Sequence, residues 1–306
     1  MTSGQRWATV LSVMLLGVGC TSGIDTGDIG SQAAGESSMV EVDETSSTTE
    51  PAVTSAATTP DETVGSEPVA ADGSIDSPPD TEAYISTFDT DRGSDLYGIV
   101  AGEVEPVTQL SYQGDPVQLT DIAWSPGGIL YGATFGELVR IDPDSGEVSI
   151  VASFSADAVN ALTFLPDGRL LAADLSGMVL IVDVETARTE TIAVYPAGMV
   201  SSGDLVVAAD GSVYATATDT SVEPPREFLL LIEPDSGTVE TVSSSLPMAV
   251  YGLVAEVDGS LIGLTAIPVS TECELGEMIR IDPGGDGQVH ESIGCLEFTP
   301  GGAAGL

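Results

Sequence analysis

From Ala83 to the end of the chain, apolar and polar residues alternate in short stretches, and each stretch stops at glycine, proline or aspartate. Alternation with a period of two, bounded by turn residues, predicts half-buried strands joined by tight hairpins. Residues 119–124 and 129–132 flank Ser125-Pro126-Gly127-Gly128 in this way, and 159–165 and 169–172 flank Pro166-Asp167-Gly168. The same unit returns at 202–215 around Asp210-Gly211 and at 250–263 around Asp258-Gly259. A second hairpin follows the first. Residues 138–142 turn at Pro143-Asp144-Ser145-Gly146 into 147–153, echoed by 229–233 turning at Pro234-Asp235-Ser236-Gly237. Each repeat is therefore a four-stranded meander of about 45 residues.

The ends of this region complete one another. Residues 83–88, 95–100 and 104–111 match only the second, third and fourth strands of the unit, and the missing first strand is supplied by 298–306. Four complete units and one shared between the two ends predict an all-β fold, a small β-propeller of five four-stranded blades. Pairing the N- and C-terminal strands within one blade leaves no open sheet edge at the seam.

What precedes the repeats differs in texture. Residues 1–19 carry one charge, Arg6, before an apolar run with the length of a signal-peptide core, too short to span a bilayer. They read as an export signal. Residues 20–82 are rich in Ser, Thr, Ala, Pro and acid, have no basic residue and almost no large apolar one, and are expected to form a disordered tether. Their Ser/Thr density is compatible with O-glycosylation. The propeller domain is assigned to residues 83–306.

Charge narrows the function classes. There are 48 acidic against 7 basic residues, a net charge of −41, and all seven basic residues are arginine. Such a field repels phosphate backbones and anionic lipids, so no nucleic-acid role is expected and the membrane is reached only through an anchor. Partners are expected to be cations, neutral small ligands or basic protein surfaces. High salt would screen the self-repulsion and suits such a composition. Without lysine there is no Schiff-base chemistry and no phosphate-loop lysine. His290 is the single histidine, which excludes a multi-histidine metal site, and its place on an outer strand keeps it from a catalytic dyad.

Two resemblances add to this reading. Leu15-Leu16-Gly17-Val18-Gly19-Cys20 resembles the lipobox of bacterial lipoproteins, with Gly17 where that family has leucine, and implies acylation of Cys20. An ordinary cleaved signal is the alternative. Asp210-Gly211-Ser212-Val213-Tyr214 and Ile141-Asp142-Pro143-Asp144-Ser145-Gly146 resemble the blades of YncE-like, NHL-like and gluconolactonase-like propellers. Their turn and packing residues specify fold far better than activity.

Within a propeller the first strand of each blade lines the channel. The channel layer is read as Asp121, Ala161, Asp204, Gly252 and Gly305, with neighbours Thr120, Asn160, Gly203, Tyr251 and Ala304. Asp121, Asn160 and Asp204 could converge on a hard cation such as Ca²⁺. The gluconolactonase-like resemblance implies metal-assisted lactone hydrolysis in which Asn160 and Asp204 take ligand roles, although no glutamate stands at a matching strand start. The alternative is that Asp121 and Asp204 accept hydrogen bonds from main-chain amides. A glycosidase built on paired carboxylates fits poorly, because the domain has one tryptophan, Trp124, which alternates away from Asp121 into blade packing. The loop Asp89-Thr90-Asp91-Arg92-Gly93-Ser94-Asp95 has calcium-loop spacing but Val100 where the closing glutamate belongs, and reads as a polar turn.

If Cys20 carries lipid, Cys273 and Cys295 remain as an even pair in an oxidising compartment and are expected to form a disulfide, with Gly276 opposite Cys295 and a flexible loop closing the gap. Long loops at 219–227 and 267–277, on one face of neighbouring blades, are the expected partner surface. The favoured reading is a lipid-anchored extracytoplasmic binding module that meets an extracellular protein or small ligand, with no identifiable catalytic constellation; a metal-dependent hydrolase is the alternative.

Overall fold

The computed structural model describes residues 81–306, except 157, 244, 245, 286 and 287. The export signal, Cys20 and nearly all of the tether lie outside the described residues. Five four-stranded antiparallel sheets form the blades, beside a small hairpin of Ser111–Tyr112 and Asp115–Pro116. Among the described residues there is no α-helix, only a 3-10 turn at Pro283–Gly285, and no helix long and apolar enough to cross a membrane.

The first blade holds the seam. The C-terminal strand Pro300–Gly305 pairs with Thr81–Thr87, which leads on to Asp95–Val100 and Glu103–Gln109. The other four blades are uninterrupted meanders whose inner strands are Asp121–Trp124, Val159–Phe164, Met199–Val207 and Val250–Ala255. The five-blade ring closed by both chain ends is thus as the repeats predict, with its first strand starting at Thr81.

Alternation explains where the core sits. Each sheet presents apolar side chains on both faces, so five separate cores lie between successive blades and none at the centre. Between the first two blades, Tyr84 and Leu96 meet Ile122, Val139 and Ile141. Trp124 packs there against Tyr84, with ring centroids 5.7 Å apart, as its alternation from Asp121 requires. Across the seam Ile85, Ile99 and Ala303 meet Val254, Leu264 and Met278. Burying side chains of this size contributes about 1.5–3 kcal/mol each.

The last blade carries the disulfide. Cys273 and Cys295 are bonded with α-carbons 5.2 Å apart, which fastens the loop after Leu261–Thr265 to the outer strand Gln288–Leu296. Opposite Cys295 stands Glu277 instead of Gly276, because two bulges in this strand pair add residues between the turn and the cysteine. The loop is also held from below, since the Glu277 carboxylate accepts the N–H groups of Val269 and Ser270 at 2.5 and 2.9 Å. His290 lies on that outer strand, as read from the sequence.

Candidate functional site

Every inner strand is irregular at the same level, and this irregularity builds the centre of the molecule. Register slips at Asn160 in the third blade, at 202–204 in the fourth, at Tyr251 in the fifth and at Gly301 in the first. In the second blade Thr120 and Asp121 both face Ala133. Gly203 adopts φ +141°, a conformation that a residue with a side chain rarely takes, inside the widest of these bulges. A bulge frees one N–H from the ladder. Here the freed groups belong to Ile122, Leu162, Leu205, Leu253 and Ala303, one from each blade.

Two carboxylates take all five. The Asp121 oxygens accept from Ile122 at 2.8 Å and Leu162 at 2.6 Å. Those of Asp204 accept from Leu205 at 2.6 Å, from Leu253 and from Ala303. Each aspartate binds its own strand and the next blade, and Asp204 also reaches the seam strand. The two carboxyl groups lie close enough that the charge of Asp204 is felt at Asp121. Both are fully buried. Burial pushes both well above the usual carboxylate range, with the charge of Asp204 adding to the rise at Asp121 and the main-chain N–H groups opposing it at both.

The remaining positions of this layer are Ala161, Gly252 and, in the seam strand, Gly302. Gly305, placed here by sequence, lies three residues further along. A β-carbon on Gly302 would stand 1.9 Å from Asp121 Oδ1, so the carboxylate occupies the space that a side chain would need. The register slip at Gly301 moves the strand, and in the run Gly301-Gly302-Ala303-Ala304-Gly305 no side-chain pattern reveals it. The neighbours Thr120, Asn160, Gly203 and Tyr251 lie at the bulges, which the sequence reading did not foresee; Gly301 takes the place given to Ala304.

Asp121 and Asp204 are therefore both buried at the inner strands, where each accepts main-chain N–H groups of its own strand and of the next blade. Asn160 is buried beside them in the third blade, where its Nδ2 donates to the Ser201 carbonyl at 3.2 Å and its Oδ1 has no partner. A hard cation needs carboxylate oxygens with free lone pairs directed at it. Each of the four oxygens here accepts a main-chain N–H, so the pair is satisfied by N–H donors. Among the described residues no three His, Cys, Asp or Glu side chains are gathered as metal ligands. In the loop at 89–95, Asp89 accepts the N–H groups of Asp91 and Arg92 and pairs with the Arg92 guanidinium at 3.2 Å, which is a polar turn.

Glu227 escaped the sequence reading except as a loop boundary. It lies between the fourth and fifth blades, where Thr218 Oγ1 donates to its carboxylate at 2.8 Å and burial pushes its carboxyl up to about 7. The signal was available: Glu227 alternates with Leu229, which faces the same inter-blade core.

The loops after Val213–Asp219 and Leu261–Thr265 leave the same face, because alternate connections of a meander lie at alternate ends. They present Val222, Val269 and Leu275, which are 37, 42 and 51% exposed, among Glu223, Glu272 and Glu274. The first loop is tied down where Thr220 N–H donates to the Gly198 carbonyl and Ser221 to the Asp219 carboxylate.

Part of the repeat region has a counterpart among known protein families. Residues 132–262 match the SMP-30/Gluconolactonase/LRE-like region. This gluconolactonase-like match runs from the second strand of the second blade to the second strand of the fifth. No curated protein matches the sequence. Similar solved structures include the extracellular domain of a one-component system from B. thetaiotaomicron, 16% identical with TM-score 0.42 over 69% of this chain, which spans 30% of that protein. A gluconolactonase from Xanthomonas campestris is 16% identical with TM-score 0.43, covering 68% of this chain and 70% of its own. Virginiamycin B lyase from Staphylococcus aureus is 14% identical with TM-score 0.41, covering 69% of each chain. At these identities the likenesses carry no activity to this chain.

Proposed function

We propose that this gluconolactonase-like propeller is an extracytoplasmic binding module, held at the outer face of the membrane by a lipid on Cys20 and engaging an extracellular protein or small ligand through its 219–227 and 267–277 loops. One observation carries the reading: each of the four oxygens of the channel carboxylates accepts a main-chain N–H, so the place where a gluconolactonase-like enzyme would do chemistry serves the fold. The braced loops above it offer apolar side chains on an acidic background, which suits a partner with basic and apolar groups.

The observations on the side of a metal-dependent hydrolase are the family match and the unpartnered Oδ1 of Asn160. An immobilised protein separates the two. The binding reading expects a partner retained from envelope extract by the native protein and lost when Val222, Val269 and Leu275 are all replaced by serine, with lactone hydrolysis in calcium at the background rate. Steady lactone turnover that disappears on Asn160→Ala would overturn it.

Anchoring is tested apart from function. Cys20→Ala is expected to move the protein from the membrane fraction to the medium, because the tether has only scattered Ile, Val and Met residues and no apolar run to insert. Equal partition of mutant and native protein into detergent would contradict the lipid anchor.

A further inference from the structure

Two neighbouring blades repeat a threonine–glutamate pair at the root of their long loops. Thr218 stands opposite Glu227 in the fourth blade and Thr265 opposite Glu277 in the fifth, and both glutamates are buried. In the fifth blade the loop returns to its glutamate, because Val269 and Ser270 N–H donate to the Glu277 carboxylate. Burial works against that charge, but Ser292, Ser270 and Val269 hold the carboxyl below the usual range. In the fourth blade no loop N–H does this among the described residues. Both Glu227 oxygens take the Thr218 hydroxyl, at 2.8 and 3.0 Å, which has one hydrogen to give. Burial therefore pushes this carboxyl up to about 7 against the Thr218 and Ser202 hydroxyls. Among the described residues no arginine pairs with it, and the adjacent Arg226 is exposed on the other face of the strand. The fifth blade turns Tyr251 towards it, a phenol that burial keeps neutral, and Asp204 on the inner strand is engaged with Leu205 and Leu253. The main chain makes Glu227 a junction: its carbonyl accepts Leu246 N–H from the crossover to the fifth blade at 2.6 Å, beside the closing pair Asp219 and Arg226. Its carboxyl reaches water only if the loop root turns out of the cleft.

We propose that Glu227 is a pH-sensitive latch for the 219–227 loop: its neutral carboxyl seats the loop root in the cleft between the fourth and fifth blades, and loss of that proton to solvent releases it. A neutral carboxyl leaves no charge to bury and can return its own hydrogen to the Thr218 oxygen. An ionised one needs more donors than the hydroxyls around it give, and water outside the cleft supplies them. In the open loop the group titrates near the ordinary glutamate value of 4.5, and in the seated loop near about 7. The seated state therefore holds more proton between those values. Opening grows more favourable as pH rises across that window, by up to about tenfold per unit, and levels off above it. Below the window the latch is fully closed. Asp219, at the other root of the loop, is held low by Ser221 and finishes titrating in acid, outside the window. As control of the partner face the latch rests on the binding reading above.

Hydrogen exchange of the full-length protein reads the latch with no partner present, so failure of the binding reading leaves its outcomes unchanged. After allowance for intrinsic exchange, segment 220–227 of the native protein is expected to lose about tenfold or more of its protection between pH 5.5 and pH 8. Segment 267–277, held by Glu277 and by the Cys273–Cys295 bond, is expected to keep its protection. Glu227→Gln carries a neutral side chain at every pH and should hold segment 220–227 protected at both. Should that variant fail to fold, carboxyl NMR of native protein labelled only in glutamate decides: one carboxyl still protonated at pH 5.5 and ionised at pH 8 is expected. Loop protection that does not change with pH, a change that Glu227→Gln leaves intact or that 267–277 shares equally, or glutamates all ionised at pH 5.5, would overturn the proposal.

Discussion

Gly302→Ala is expected to open the propeller at its seam. The added β-carbon would stand 1.9 Å from Asp121 Oδ1, 2.8 Å from its Cγ and 2.7 Å from its α-carbon. A flexible side chain could swing away from such a contact, but Asp121 is held by the N–H groups of Ile122 and Leu162, and its α-carbon belongs to the inner strand of the second blade. The conflict is with backbone, so the seam strand has to move. It cannot do so without parting from Thr81–Thr87 or withdrawing Ala303 from Asp204. Ordinary overpacking costs about 1–3 kcal/mol, and the loss of seam contacts places this substitution at or above the top of that range. Gly305→Ala in the same strand is the control: its β-carbon would meet nothing nearer than Val254 Cγ1 at 3.6 Å. Urea unfolding of the two variants should separate them by about 3 kcal/mol or more. Equal midpoints would place the channel layer where the sequence pattern alone puts it, at Gly305.

Asp204→Ala is the second large effect. Removing this carboxylate leaves the N–H groups of Leu205, Leu253 and Ala303 without acceptors in a fully buried site. Each orphaned donor costs about 1–3 kcal/mol. The substitution also relieves the cost of keeping a carboxylate out of water, which works in the opposite direction. Three donors from three blades against one relieved charge leave a net loss of about 3–5 kcal/mol. For a domain of this size that lowers the thermal midpoint by roughly 10 °C or more. Scanning calorimetry reads the shift directly, and a change of a degree or two would show that the carboxylate is dispensable to the ring.

The architecture was legible because its determinants are local and repeated. Turns such as Pro143-Asp144-Ser145-Gly146 and Asp258-Gly259, with alternating residues on either side, state a four-stranded unit five times over, and the unmatched first strand of the opening unit points to the C-terminus. The seam register was not legible. In the glycine and alanine run from Gly301 to Gly305 a bulge shifts the strand without exchanging large side chains for small ones, so neither register leaves a trace in hydrophobicity. Asp121 and Asp204 were placed in one layer by the repeat alone. Whether their oxygens face a cation or a main-chain N–H depends on bulges in three other strands, which is a tertiary property. Glu227 was hidden for a different reason: it ends a polar loop, and only its alternation with Leu229 shows that it turns inward.

The account rests on the channel being an anion cradle of five N–H groups that the chain fills with its own two carboxylates. Thermal unfolding of native protein and Asp204→Ala, titrated with sodium formate and with calcium chloride against sodium chloride at equal ionic strength, tests this most directly. The sodium chloride series removes the screening expected of a chain with net charge −41. Formate should occupy the vacated cradle and raise the midpoint of Asp204→Ala with its concentration, as a ligand of the folded state does, while leaving the native protein unmoved. Calcium should shift neither protein by more than sodium chloride does. A native midpoint that climbs with calcium, and no longer climbs once Asp204 is replaced, would contradict the account and return the channel to a metal-binding role.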